Sequence, residues 1–136
     1  MAYEKLLPQP TADETEAFWK AAKDHNLRLQ RCRTCGKPHH YPRNLCPYCF
    51  SEDLEWIDAS GRGTVYMRTI VRQAVLPGWA DDVPYVFAIV ELEEGPHITT
   101  NVVDCSPDEV KVGMPVTVLF EDVSDQFALV KFRPSA

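Results

Sequence analysis

The stretch Leu27–Phe50, LRLQRCRTCGKPHHYPRNLCPYCF, decides how the rest of the chain is read. It holds two Cys-x-x-Cys pairs, Cys32/Cys35 and Cys46/Cys49, with ten residues between them. Each pair can fold as a knuckle that turns two thiolates toward one centre, and a short ribbon between the knuckles brings the pairs together. Four thiolates suit a tetrahedral zinc, at metal–sulfur distances of about 2.3 Å. Gly36 after the first pair and Pro47 inside the second favour the tight turns that aim sulfur inward. The gap is shorter than the roughly 15–20 residues of the commonest four-cysteine pattern, yet ample for a small ribbon. Two disulfides, or four free thiols, are the other uses of these residues. Paired knuckle spacing in a chain without secretory features favours metal. Four thiolates also hold a single iron, so iron stays open beside the expected Zn2+, one ion per chain. A shell closed by four sulfurs leaves no open position, which makes the expected ion structural. His39 and His40 are surplus to that shell and are expected in surface or phosphate-facing roles.

Charge adds a second meaning. Between His25 and Ser51 lie five basic residues (Arg28, Arg31, Arg33, Lys37, Arg43) and no Asp or Glu, in a chain whose net charge is −6. A cationic lobe on an acidic protein implies a local anionic partner rather than a broad nucleic-acid surface. Solubilising charge on a small ribbon is the plainer explanation. With 136 residues, 45% hydrophobic and 25% charged, the chain is long enough for one compact core with a small metal module attached. The start, MAYEKLLPQPTADE, has no cationic segment followed by an apolar run, so no secretory leader is expected. Nothing approaches the ~18 uninterrupted apolar residues of a membrane span. A thiolate cluster fits a reducing, cytoplasmic setting.

Taken in order, Met1–Pro10 reads as a lead-in, and Thr11-x-x-Glu14 as a capping box that opens a helix ending near Asn26. Phe18, Ala21, Ala22 and His25 share one face of it, with Trp19 alongside. That helix is expected to dock either on its own chain or on a partner subunit. The ribbon follows over 27–60, with strands at Leu27–Leu29, at the return His39–Arg43 and at Leu54–Asp58. Ser60-Gly61-Arg62-Gly63 then marks a boundary, its glycines allowing a hinge or a bulge. From there the pattern is β to the end: Gly63–Val71, Tyr85–Leu92 as a continuous buried-type run, His97–Val103, Pro115–Glu121 and Gln126–Phe132. Five such strands suit a Greek-key barrel of the OB type over 61–136, with an open sandwich as the alternative. The predicted fold is therefore mainly β, with an N-terminal helix, a four-cysteine ribbon and a five-stranded barrel.

Catalytic signals are weak. There is no Gly-x-Ser-x-Gly elbow, phosphate loop or His-Glu-x-x-His. Cys105 follows an apolar strand and reads as a structural thiol, although a pairing with His97 across a hairpin is conceivable. Glu93/Glu94 and Asp81/Asp82 fall in turns, where solvation explains them. The connection Gln73–Pro84 places apolar Leu76 and Trp79 where solvent is expected. It is either an interaction site or a lid folded back on the barrel.

The knuckles CxxCG and CPxC, then Trp56, SGRGTVY (Ser60–Tyr66), PYVFAIVELEEGP (Pro84–Pro96) and VGMPV (Val112–Val116) ahead of Phe120-Glu121 resemble one family in order and spacing. It is the rubredoxin-like zinc-ribbon/OB-fold family of accessory proteins to thiolases and related thiolase-fold acyl-CoA enzymes. The resemblance runs from about Phe18 to the C-terminus, and all four ribbon cysteines are present. It implies a non-catalytic subunit whose thiolase-fold partner supplies the catalytic groups and which helps to bind coenzyme A thioesters. On that reading Arg31, Arg33, Lys37, His39 and Arg43 are candidate coenzyme A contacts, since arginine grips phosphate through charge-assisted hydrogen bonds. Phe18, Trp19, Leu76 and Trp79 become candidate partner anchors. β-Oxidation of an aromatic or other acyl-CoA is one pathway such complexes serve. A nucleic-acid-binding ribbon/OB module is the competing function, disfavoured by the acidic barrel half; a rubredoxin-like electron carrier is a third.

Overall fold

A computed structural model of the chain describes residues 5–8 and 13–135. Among these, a helix α1 (Asp13–Lys23) precedes the ribbon strands β1 (Arg28–Cys32), β2 (Pro38–His39) and β3 (Leu54–Asp58). The barrel strands follow: β4 (Arg62–Val71), β5 (Tyr85–Leu92), β6 (His97–Val102), β7 (Pro115–Asp122) and β8 (Ala128–Pro134). The ribbon sheet runs β2-β1-β3, and the remaining strands close a barrel in the order β4-β5-β6-β8-β7. One seam is β4 against β7, and the other is a parallel contact of β6 with β8 at Val102 and Phe132. The expected fold class is the observed one.

α1 carries acids in its first turn and lysines in its last, as the helix dipole favours. The expected cap, Thr11, lies outside the described residues, as does most of the lead-in. The helix ends sooner than expected because His25, not Asn26, takes the left-handed conformation (φ 61°). The His25 and Asn26 amides return to the Ala22 and Ala21 carbonyls, both at 2.9 Å, which closes the helix in a Schellman motif. Trp19 meets Phe127 edge-on, His25 stacks on Phe120, and both Lys23 and His25 reach the Asp122 carboxylate. α1 thus docks on this chain's own barrel.

One buried cluster runs through all three parts. Phe18 comes from α1, Leu27 and Leu29 from the start of the ribbon, and Val65, Val90, Val116 and Phe132 from the barrel. β5 corrects the expectation of a run buried on both faces. Val86, Ala88, Val90 and Leu92 point inward while Phe87 and Glu91 point out, because a barrel strand has only one face on the core. At the expected hinge or bulge, both glycines are closely packed. A Cβ on Gly61 would lie 2.6 Å from Val118, and one on Gly63 2.6 Å from the Glu91 carbonyl oxygen. These glycines let β4 press against its neighbours, and the Val118 amide donates to the Gly61 carbonyl at 2.7 Å. Among the described residues no helix is long and apolar enough to cross a membrane.

Candidate functional site

The four predicted ligands converge. All four Sγ atoms lie within 4.8 Å of one another, with Cys32–Cys49 at 3.6 Å and Cys35–Cys46 at 3.7 Å. Sulfurs placed tetrahedrally about 2.3 Å from one centre stand roughly 3.8 Å apart, so the cradle fits a single ion. A disulfide would need about 2.05 Å. Both knuckles use the same backbone plan. The Gly36 and Phe50 amides donate to the Cys32 and Cys46 carbonyls at 2.8 and 2.9 Å, and the Cys32 and Cys46 amides donate to the Lys37 and Ser51 carbonyls at 3.1 and 2.9 Å. The Cys35 and Tyr48 amides then point at the Cys32 and Cys46 sulfurs, each at 3.4 Å. Donors aimed at sulfur favour the thiolate. Led by the Cys35 amide, they hold the Cys32 thiol down to about 6, and thiolate is the form that binds metal. Four sulfurs fit a tetrahedral shell, and an ion held there would have no vacant position for substrate.

Of the five predicted phosphate ligands, Arg31 and Arg33 are ion-paired and His39 is buried. β3 pairs with β1 so that Glu55 faces Arg31. Arg31 Nε donates to Glu55 at 2.8 Å, Arg33 donates to Glu55 and Asp53 at 3.0 and 2.9 Å, and Arg28 donates to Asp58 at 3.0 Å. Hydrogen bonds from Arg31 and Arg33 hold the Glu55 carboxyl below its usual range. His39 is an interior residue, 4% exposed, with Nε2 2.8 Å from Gln30 Oε1, and burial, then the Arg43 charge, lowers its pKa. It is not the surface ligand expected. His40 is likewise withdrawn, packed on Phe18 and Tyr41 and pushed down to about 4 by burial. Lys37 and Arg43 stay exposed, Lys37 lying over the Tyr48 ring at 4.8 Å. Neither forms an ion pair among the described residues.

Two family models match this geometry. The ChsH2 rubredoxin-like zinc ribbon domain covers residues 19–55, and the ChsH2 C-terminal OB-fold domain covers residues 56–121. The DUF35 domain-containing scaffold protein of Methanocaldococcus jannaschii is 40% identical over 109 residues, spanning 79% of this chain and 77% of that one. The chain belongs to the ChsH2 (DUF35) family. The probable enoyl-CoA hydratase alpha subunit of Thermomonospora curvata is 37% identical over 96% of the DUF35 chain, which spans only 40% of that relative's length. A solved structure described as Ltp2-ChsH2(DUF35) aldolase superposes with a TM-score of 0.84 at 35% identity, covering 94% of this chain and all of the other.

The DUF35 chain distributes its predicted partner anchors unevenly. Phe18 is 6% exposed and part of the core. Trp19 is half-buried against Phe127. Trp79 folds back on Tyr85, with Lys5 and Lys131 over its ring, so the lid alternative describes it. Leu76 is exposed beside Val75. Sequence reasoning passed over other exposed apolar residues: Leu45, Tyr48 and Phe50 on the second knuckle, and Tyr66, Met67 and Phe87 on the outer barrel. The alternation of β4 was a usable signal for Tyr66; exposure on the knuckle had none. Below Trp79 a mainly apolar groove of about 430 Å³ lies between α1, the ribbon and the barrel, bordered by Phe18, Trp19, Tyr41, Ile98 and Leu129. Lys131 stands at its end and donates to Asn101 Oδ1 at 2.6 Å. Cys105 keeps its proton, its thiol pushed up first by burial and then by the Glu109 and Asp104 carboxylates. His97 pairs with Glu91 at 3.1 Å.

Proposed function

We propose that this DUF35 chain is a non-catalytic, cytoplasmic subunit of a thiolase-type acyl-CoA complex, assembling its partner and helping to form the acyl-CoA site. The observation that carries this reading is a four-sulfur metal shell, closed to substrate, in a family whose relatives are named as a scaffold, a hydratase alpha subunit and an aldolase component. The ion is a single structural zinc, in keeping with the zinc-ribbon family match. Coenzyme contact falls to the groove under Trp79 rather than to the ribbon cations, because Arg31 and Arg33 are engaged by Glu55 and Asp53 and His39 is internal. The groove under Trp79, within the roughly 300–1,000 Å³ usual for ligand pockets, supports a contribution to the acyl or pantetheine arm. Oxidation of an aromatic or other acyl-CoA is the pathway class we favour. The nucleic-acid reading loses its basic stripe to the same ion pairs.

Co-expression with a thiolase-fold enzyme from the same host tests this. Thioester turnover is expected only when both chains are present, with none from this chain alone. Turnover by the isolated chain, or full activity of the enzyme without it, overturns the proposal.

A further inference from the structure

The two knuckles share one backbone plan but end on different residues. After its second cysteine the first has Gly36, at φ 78° with open space where a Cβ would sit. The equivalent residue of the second is Phe50, at φ 64°. Left-handed backbone is the natural place for glycine and disfavours any residue with a Cβ. Phe50 therefore makes its knuckle less stable than glycine would. No packing offsets this, because its side chain is 73% exposed. Leu45 and Tyr48 are exposed beside it, and Phe50, Leu45 and Arg43 border one open depression of about 520 Å³, with Glu14 also on its rim. Residues 34–51 contain two cations, Lys37 and Arg43, and no carboxylate.

We propose that this second-knuckle tip is the surface by which the chain docks on its enzyme partner. Phe50 enters an apolar pocket there, and carboxylates on the pocket rim meet Lys37 and Arg43. The inference rests on the accessory-subunit reading above. Relatives named as a hydratase subunit and an aldolase point to an enzyme as the occupant, and charge disfavours a tip-to-tip pair of this chain. A second copy docked by the same tip would set Lys37 and Arg43 of one chain against those of the other. Free coenzyme phosphate would leave the apolar side chains between the cations wet. Aromatic residues and arginine are the usual anchors of protein interfaces.

The test uses the full chain tagged in its native host. Phe50→Gly should keep its metal stoichiometry and melt at the same or a higher temperature, while recovering the acyl-CoA enzyme at roughly one tenth of the normal yield or less. A benzophenone side chain at position 50, but not at the equally open position 75, should crosslink to a partner peptide with Asp or Glu beside apolar residues. Added coenzyme A should leave that crosslink intact. Crosslinking to a second copy, suppression by coenzyme A, no crosslink, or full recovery with Phe50→Gly overturns the proposal. A crosslink of the expected kind to an enzyme without the thiolase fold supports the docking surface and sinks the functional reading instead.

Discussion

Cys32, 0% exposed, is one of four sulfurs sharing a centre, so replacing it removes more than one bond. Structural zinc contributes on the order of 10–16 kcal/mol of binding free energy in small ribbons. Cys32→Ser is expected to bring bound zinc from one per chain toward zero and to expose β1–β3 to hydrogen exchange. A chromophoric chelator assay with exchange mass spectrometry reads both. His40 supplies a pH dependence. Burial holds it to about 4 in the folded chain, against about 6.5 when unfolded. Between those values the unfolded chain binds a proton that the folded chain does not. Stability is therefore full above about pH 6.5 and is lost as pH falls toward about 4, at no more than ~1.4 kcal/mol per unit for this group. His39 shifts in the same direction, so the difference between wild type and His40→Phe in urea melts across pH isolates one proton. At this scale the ligands were legible because their geometry is local: two residues between cysteines, then a turn. The fates of Arg31, Arg33 and His39 were not. They depend on Glu55 in β3 and Asp53 just before it, twenty or more residues later, and on Gln30 facing His39 across the sheet.

Among the elements, glycines with positive φ separate two causes. Gly36 and Gly61 share that conformation, at 78° and 81°, but only Gly61 has a neighbour in the way. Gly36→Ala is expected to cost about 1–2 kcal/mol for the left-handed backbone alone. Gly61→Ala adds an overpacking cost of about 1–3 kcal/mol against Val118. Urea midpoints of the two variants measure the difference, and equal midpoints would refute the close-packing account of Gly61. The barrel strands could be read from alternation and from turn residues such as Glu93-Glu94-Gly95-Pro96, since both signals are set within a few residues. Two elements resisted. Phe87 and Ile89 are apolar on the outer side of β5, which made its period look continuous. The helix stop fell on His25 because its ring finds Phe120 and Asp122 on the barrel, a reward invisible along the chain.

Across the whole molecule the ribbon and the barrel share one interior, with Leu27 and Leu29 packed in the same cluster as Val65 and Phe132. Chelating the metal is therefore expected to lower the melting temperature of the barrel as well as the ribbon. Far-ultraviolet ellipticity and the combined fluorescence of Trp19, Trp56 and Trp79 should follow a single transition with and without chelator; two separate transitions would show independent modules. Phe132→Ala, at a site with 0% exposure, is expected to cost about 3–5 kcal/mol and to weaken metal retention through the shared core. Ribbon and barrel were each recognisable in the sequence, whereas their fusion was not, because hydrophobic pattern says which residues are inside but not whose inside they join. The seam at Val102 and Phe132 also orders events in time. β8 is the last of the strands to be made, whereas all four sulfurs occur by residue 49. A growing polypeptide has all four sulfurs early, yet the cluster that holds Leu27 and Leu29 is complete only once β8 supplies Phe132. Scarcity of metal early in synthesis would then limit how many chains mature.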